Sequence, residues 1–181
     1  METLEEFKIL FSSLKDGENR FNYKLDLKFF EAFDFNQLNN CEIDVQLILL
    51  KTTLLMDLKF ELKGSYFVNC DKCLGELELL MSSNFRQLVK FVEEEKQLEN
   101  EEVLFIERTA YDINVSSFIF EDCILNFPKK QIHNEGKCDQ KNMDILNEYL
   151  LIEVENDELD NNESTDPRWE KLRALKKNNN K

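Results

Sequence analysis

Three stretches of this 181-residue chain alternate apolar and polar residues strictly, and a period of two fits a strand with one wet face, not a helix. Phe21, Tyr23, Leu25 and Leu27 alternate with Arg20, Asn22, Lys24 and Asp26. Ile43, Val45, Leu47 and Leu49 alternate with Glu42, Asp44 and Gln46, and Met56, Leu58, Phe60 and Leu62 with Asp57, Lys59, Glu61 and Lys63. The last two predict a hairpin over 41–63 that turns near Lys51–Thr53. Gly64 reads as the end of its second strand. Tyr66–Val68 then leads into a second hairpin, with Cys70–Gly75 as its tight turn and about Leu77–Val92 as its return strand. A short strand follows at Val103–Ile106.

Helical signals are fewer. The apolar cluster Phe29–Phe33 reads as a helical turn between strands. Val115, Phe118, Ile119, Cys123 and Phe127 fall at helical spacing, with Ser116 and Ser117 near the start and Pro128 at the stop, which predicts a central helix. Asp139 can cap a further helix over Gln140–Leu151, whose stripe is Met143, Leu146 and Leu150. The expected fold is α+β: a mainly antiparallel sheet or partly open barrel built from hairpins, with a central helix and short C-terminal helices. The expected organisation is one domain over 1–151, an acidic linker over 152–165, and a basic amphipathic helix and tail over 166–181.

Concentrated chemistry occurs in one place. Cys70-Asp-Lys-Cys73 puts two thiols on one short turn, and His133-Asn-Glu-Gly-Lys-Cys138 offers an imidazole and a third thiol. Cys70, Cys73, His133 and Cys138 thus make one complete tetrahedral set for a structural zinc. Ordinary ribbons and fingers keep their ligand pairs about 12 to 20 residues apart, whereas sixty residues separate Cys73 from His133. The competing reading is that these cysteines are small buried hydrophobes and that the chain's one histidine is a satisfied polar group. Cys41 and Cys123 read as core residues. Cys138 directly precedes the capping Asp139, so it stands at a predicted helix N-terminus, where a thiolate is favoured as a metal ligand or as a reactive group.

Composition narrows the rest. Five cysteines are an odd number, and the first residues lack the basic, apolar and small-residue sections of a secretion signal, so a reducing compartment is expected. The longest apolar runs, such as Leu47–Leu50, fall far short of the roughly 20 residues that span a bilayer. The formal net charge of −14 argues against a surface that lies broadly on nucleic acid. Glu93–Glu102 carries six glutamates against one lysine and reads as a solvated loop. Glu153–Glu163 reads as a mobile acidic linker. Beyond it Asp166 can cap and Pro167 suits the first helical position, while Trp169, Leu172 and Leu175 recur every three residues. Arg168, Lys171, Arg173, Lys176 and Lys177 make that short helix basic, and with Trp169 and Leu172 they are candidate contacts for RNA or a protein partner.

Several motifs in fixed order carry a resemblance. Cys-Asp-Lys-Cys-Leu at 70–74, Ile-Leu-Asn-Phe-Pro-Lys-Lys-Gln-Ile-His at 124–133, Cys-Asp at 138–139 and Asp-Pro-Arg-Trp-Glu-Lys-Leu at 166–172 resemble the YceD family, in the version of the Bacteroidetes group. Phe7-Lys8-Ile9, Leu14-Lys15-Asp16-Gly17 and Phe29-Phe30-Glu31-Ala32-Phe33 match as well. The segment departs from the family in reading Asn-Phe-Pro, where relatives tend to show Leu-Pro after small or apolar residues. The resemblance implies a cytoplasmic protein with no known enzymatic activity that supports accumulation or processing of 23S ribosomal RNA. It also implies that the family's Cys-x2-Cys falls on Cys70 and Cys73 and its His-x4-Cys on His133 and Cys138.

Three kinds of function follow as expectations. The first is a non-enzymatic assembly factor that binds a ribosomal RNA precursor or a basic large-subunit ribosomal protein, with no membrane and no small-molecule substrate. The second is an enzyme, either a thiol-disulfide protein using Cys70 and Cys73 or a carboxylate nuclease. A redox pair expects its motif at a helix start in an alternating strand and helix pattern, and no group of carboxylates beside the histidine supports hydrolysis. The third is a metal-free adaptor whose cysteines only pack the hairpin turn.

Overall fold

Alternation dictates the architecture. The computed structural model describes residues 2–93 and 103–159. By internal contacts the chain divides after Cys138 into two units, 1–138 and 139–181.

In the first unit, β1 (Lys8–Ile9) is followed by β2 (Gly17–Leu25), α1 (Leu27–Glu31), β3 (Asn40–Lys51), β4 (Leu55–Asn69), β5 (Glu76–Val92), β6 (Val103–Glu107), β7 (Ile113–Asn114) and α2 (Ser116–Asn126). The fold is α+β, with an open five-stranded sheet in the order β2-β3-β4-β5-β6. Its first three pairings are antiparallel and β5–β6 is parallel. The sheet does not close into a barrel. A two-stranded ribbon pairs β1 with β7.

Each alternating stretch buries the residues that the pattern selects. Ile43, Val45, Leu47 and Leu49 on β3 and Met56, Leu58, Phe60 and Leu62 on β4 are all buried. The β3–β4 turn lies at 52–54, where the Thr52 amide donates to the Leu55 carbonyl at 2.9 Å. The covered face packs against Phe7, Ile9, Phe11, Phe29, Phe30, Val115, Ile119 and Cys123, all buried. Stacked rings join the elements: Phe33 of the α1 loop on Phe120 of α2, with centroids 4.2 Å apart, and Phe60 on Phe85 across β4 and β5 at 4.3 Å. Cys41 and Cys123 belong to this core, and burial pushes the Cys41 thiol up to about 12, with Asp26 adding to the effect.

Two local readings are corrected. Leu27 does not continue β2: the strand ends at Leu25, and Asp26 caps α1 by accepting the Phe29 amide at 3.2 Å. A short acidic side chain that can satisfy a free helix amide overrides the alternation. Gly64 does not end β4, which runs through it to Asn69. It lies opposite Ile43, and a Cβ there would come within 2.6 Å of the Ile43 Cα and closer still to the Glu42 carbonyl oxygen. Glycine is needed at that point for the close approach of two backbones. Asp57 stands on the wet face that the alternation assigns it, but Arg86 of β5 folds over it and buries it there.

The second unit contains α3 (Gln140–Leu159). Asp139 accepts the Asn142 amide at 3.0 Å, the cap that the sequence predicts. The helix runs eight residues beyond Leu151, so 152–159, read as the start of a linker, are helical. That stretch has no Gly or Pro to stop it. The expected solvated loop at 94–102, residues 160–165 of the expected linker and the basic segment 166–181 lie outside the described residues.

Candidate metal centre

Long antiparallel strands carry the Cys-x2-Cys to one end of the sheet. β4 and β5 pair from Leu55–Lys90 to Asn69–Glu76, which leaves Cys70–Gly75 as the connection. The Cys70 amide donates to the Gly75 carbonyl at 2.8 Å and the Leu74 amide to the Cys70 carbonyl at 2.9 Å. Leu74 takes the left-handed conformation, φ 57°, that closes so tight a turn. Both cysteine side chains are thereby turned inward and buried.

α2 returns the other half of the set. The helix stops before Phe127 and Pro128, and Phe127 packs on Tyr66 of β4, its ring centroid 4.4 Å away. The following strap is stapled to the turn twice, the Asp71 amide donating to the Gln131 carbonyl and the Gln131 amide to the Asp71 carboxylate, both at 2.7 Å. Two residues later His133 faces Cys73, with its Nδ1 3.4 Å from the Cys73 sulfur. Asn134–Lys137 then turns, the Lys137 amide donating to the Asn134 carbonyl at 3.0 Å, with Gly136 at φ 78°, and delivers Cys138.

The ligand atoms of Cys70, Cys73, His133 and Cys138 all lie within 4.8 Å of one another. Zinc bound tetrahedrally at about 2.3 Å from sulfur and about 2.0 Å from nitrogen holds those two atoms roughly 3.5 Å apart, which the 3.4 Å between Cys73 and His133 matches. The donor chemistry fits as well. His133 Nε2 lies 3.0 Å from the Glu76 carbonyl oxygen, to which it donates, and this leaves the Nδ1 lone pair for a metal. No ligand of the set has to be moved across the sheet to close it.

Electrostatics favour one thiolate in the cluster, at Cys70. Desolvation raises the Cys70 thiol, but hydrogen bonds from the backbone amides of Cys73, His133 and Lys72 and from the Cys73 side chain outweigh it and bring Cys70 down to about 6. The hydrogen bond to Cys70 holds His133 above its ordinary range. Cys138 is raised, first by desolvation and then by the neighbouring Cys73 and Cys70. Three thiols and an imidazole crowded this closely stabilise any cation that comes between them.

All four residues are legible in the sequence, but what holds them is not. The Asp71–Gln131 staple and the Glu76 carbonyl are mostly backbone groups, which leave no mark in a sequence. Asp71, inside the cysteine motif, was the one available signal. The Cys-x2-Cys also sits on a hairpin tip and not at the helix start that a redox pair expects. The candidate RNA or partner contacts Arg168, Trp169, Lys171, Leu172, Arg173, Lys176 and Lys177 lie outside the described residues.

Among the described residues, no helix is long and apolar enough to cross a membrane. Comparison with known proteins found no match among curated proteins or solved structures. A family model described as large ribosomal RNA subunit accumulation protein YceD matches residues 58–176, a stretch that begins inside β4 and contains all four clustered ligands. With about two thirds of its length matched, the chain belongs to the YceD family.

Proposed function

We propose that this chain is a non-enzymatic cytoplasmic factor that supports accumulation or processing of 23S ribosomal RNA and assembly of the large ribosomal subunit. The observation that carries this reading is the family match over 58–176, whose description names large ribosomal RNA subunit accumulation. Its partners are a ribosomal RNA precursor or a basic large-subunit ribosomal protein, the latter favoured by a net charge of −14. The basic residues Arg168, Lys171, Arg173, Lys176 and Lys177 anchor it to the particle.

Cys70, Cys73, His133 and Cys138 hold one structural zinc in this reading. The metal supplies cross-linking, joining the β4–β5 hairpin tip to the strap after α2. The fit of the four ligand atoms supports the assignment. The test is recovery of the tagged protein from cells with its bound RNA and protein identified. Precursors of the large-subunit RNA or its proteins are expected, and a bound set free of both overturns the reading.

A further inference from the structure

One face of the sheet is covered by the core; among the described residues of the sheet unit the other is open, and its side chains follow from the strand register. Arg20, Ile48, Lys59 and Arg86 lie opposite one another on β2, β3, β4 and β5. Asn22, Gln46, Glu61 and Asn84 form the neighbouring row. With strands about 4.8 Å apart, each row is roughly 14 Å wide. Three cations therefore line up beside three amides and the Glu61 carboxylate, on a chain whose net charge is strongly negative.

The middle of the two rows is a shallow depression. Gln46, Ile48, Lys59, Glu61, Asn84 and Arg86, together with Phe60 and Phe85, line this open depression of about 420 Å³. The charged groups of the two rows are differently committed. Glu61 is ion-paired with Lys63 outside the cavity, and Arg20 with Glu18 at 2.7 Å. Lys59 has no ion-pair partner among the described residues. Arg86 is held by two bonds to Asp57, 2.6 Å from Nε and 2.9 Å from one terminal nitrogen. The Asp57 side chain is only 8% exposed while that of Arg86 is 57% exposed, so a buried carboxylate fixes a guanidinium plane that remains open to a ligand.

We infer that this open face binds single-stranded RNA. Base planes stack on fixed guanidinium groups and bases are read by amides, while a free lysine answers the phosphate. A flat sheet of this width receives about two or three unstacked bases. In this arrangement Arg86 supplies the stacking plane, Gln46 and Asn84 the base-edge contacts, and Lys59 and Arg20 the phosphate contacts. Asp57 is a positioning residue. The inference rests on the ribosomal-RNA reading above for its class of ligand, and it adds a second contact to the one proposed for the C-terminal segment.

The test is a fluorescence-anisotropy titration of the full-length, zinc-loaded chain with a labelled single-stranded oligoribonucleotide, at several salt concentrations. Lys59→Glu is expected to weaken binding about tenfold and to flatten the salt dependence by about one phosphate contact. Asn84→Ala is expected to weaken it several-fold with the salt slope unchanged. Lys28→Glu makes the same charge change on α1, away from the open face, and is the control; thermal melts establish that each variant is folded. Equal loss in Lys59→Glu and Lys28→Glu overturns the inference, since net charge alone then sets affinity. Unchanged binding in Lys59→Glu and Asn84→Ala also overturns it, and binding lost only on removal of residues 160–181 assigns the contact to the tail. Binding of an acidic peptide in preference to RNA overturns it in favour of a protein ligand. If the wild type binds no RNA while the cellular recovery still yields large-subunit precursors, this inference fails and the family reading stands.

Discussion

Gly64 and the Asp57–Arg86 pair are places where single residues decide the sheet. A methyl group on Gly64 would overlap the β3 backbone, so Gly64→Ala is expected to cost about 1–3 kcal/mol, as overpacking does. Equilibrium urea unfolding measures it, and an unchanged midpoint would contradict the close approach. Arg86→Leu strands a buried carboxylate, whereas Asp57→Leu with Arg86→Leu removes both charges from the face. The double variant is therefore expected to melt at a higher temperature than Arg86→Leu alone, and a lower melting temperature would show that the pair is not the reason Asp57 is tolerated. Neither feature was legible in the sequence. Gly64 looks like any strand-ending glycine, and the alternation places Asp57 on the wet face without revealing the diagonal partner on the next strand that buries it. The four ligands were legible because their chemistry and spacing are unusual in a chain with one histidine.

At the level of elements, the β4–β5 hairpin tip and the strap after α2 bring the four candidate ligands together as one candidate metal clamp. In the metal-free chain Cys138 lies above its ordinary 9.0, so it carries a proton that metal binding must displace near neutral pH, while His133, held above its ordinary 6.5, is protonated to a greater degree than a free imidazole. Cys70, already brought to about 6, is largely thiolate at pH 7. Zinc binding is expected to release at least one proton at pH 7 and fewer as pH rises, and affinity therefore strengthens with pH. Calorimetry in two buffers of different ionisation enthalpy reads this directly, and binding without proton release would contradict it. The elements themselves were mostly readable. Strands with strict alternation and a helix stopped by Pro128 leave strong local signals, and the hairpin turn at 52–54 fell where expected. The β1–β7 ribbon was not foreseen, since two-residue strands have no periodicity to read. The extension of α3 was missed because acidic composition suggested a linker where the absence of Gly and Pro allowed a helix.

For the whole molecule, contacts divide the chain after Cys138, and the sheet, its covering helices and the clamp all belong to 1–138. Removing residues 166–181 is accordingly expected to leave the thermal unfolding of the sheet unit unchanged while abolishing co-sedimentation with large-subunit precursors. Co-sedimentation that survives the truncation would remove the tail as the anchor and leave the open sheet face as the contact. The order of elements was readable from the sequence, but which sheet face stays open was not, because that depends on where α1, α2 and the N-terminal apolar residues pack. The clamp at the end of the longest strand pair gives the central claim its most direct test: zinc content per chain, measured together with thermal unfolding before and after a strong chelator. One zinc per chain is expected, with a melting temperature that falls when the metal is removed and with both properties lost in Cys73→Ser. A well-folded chain that carries far less than one zinc, and whose unfolding neither chelator nor Cys73→Ser alters, would contradict it.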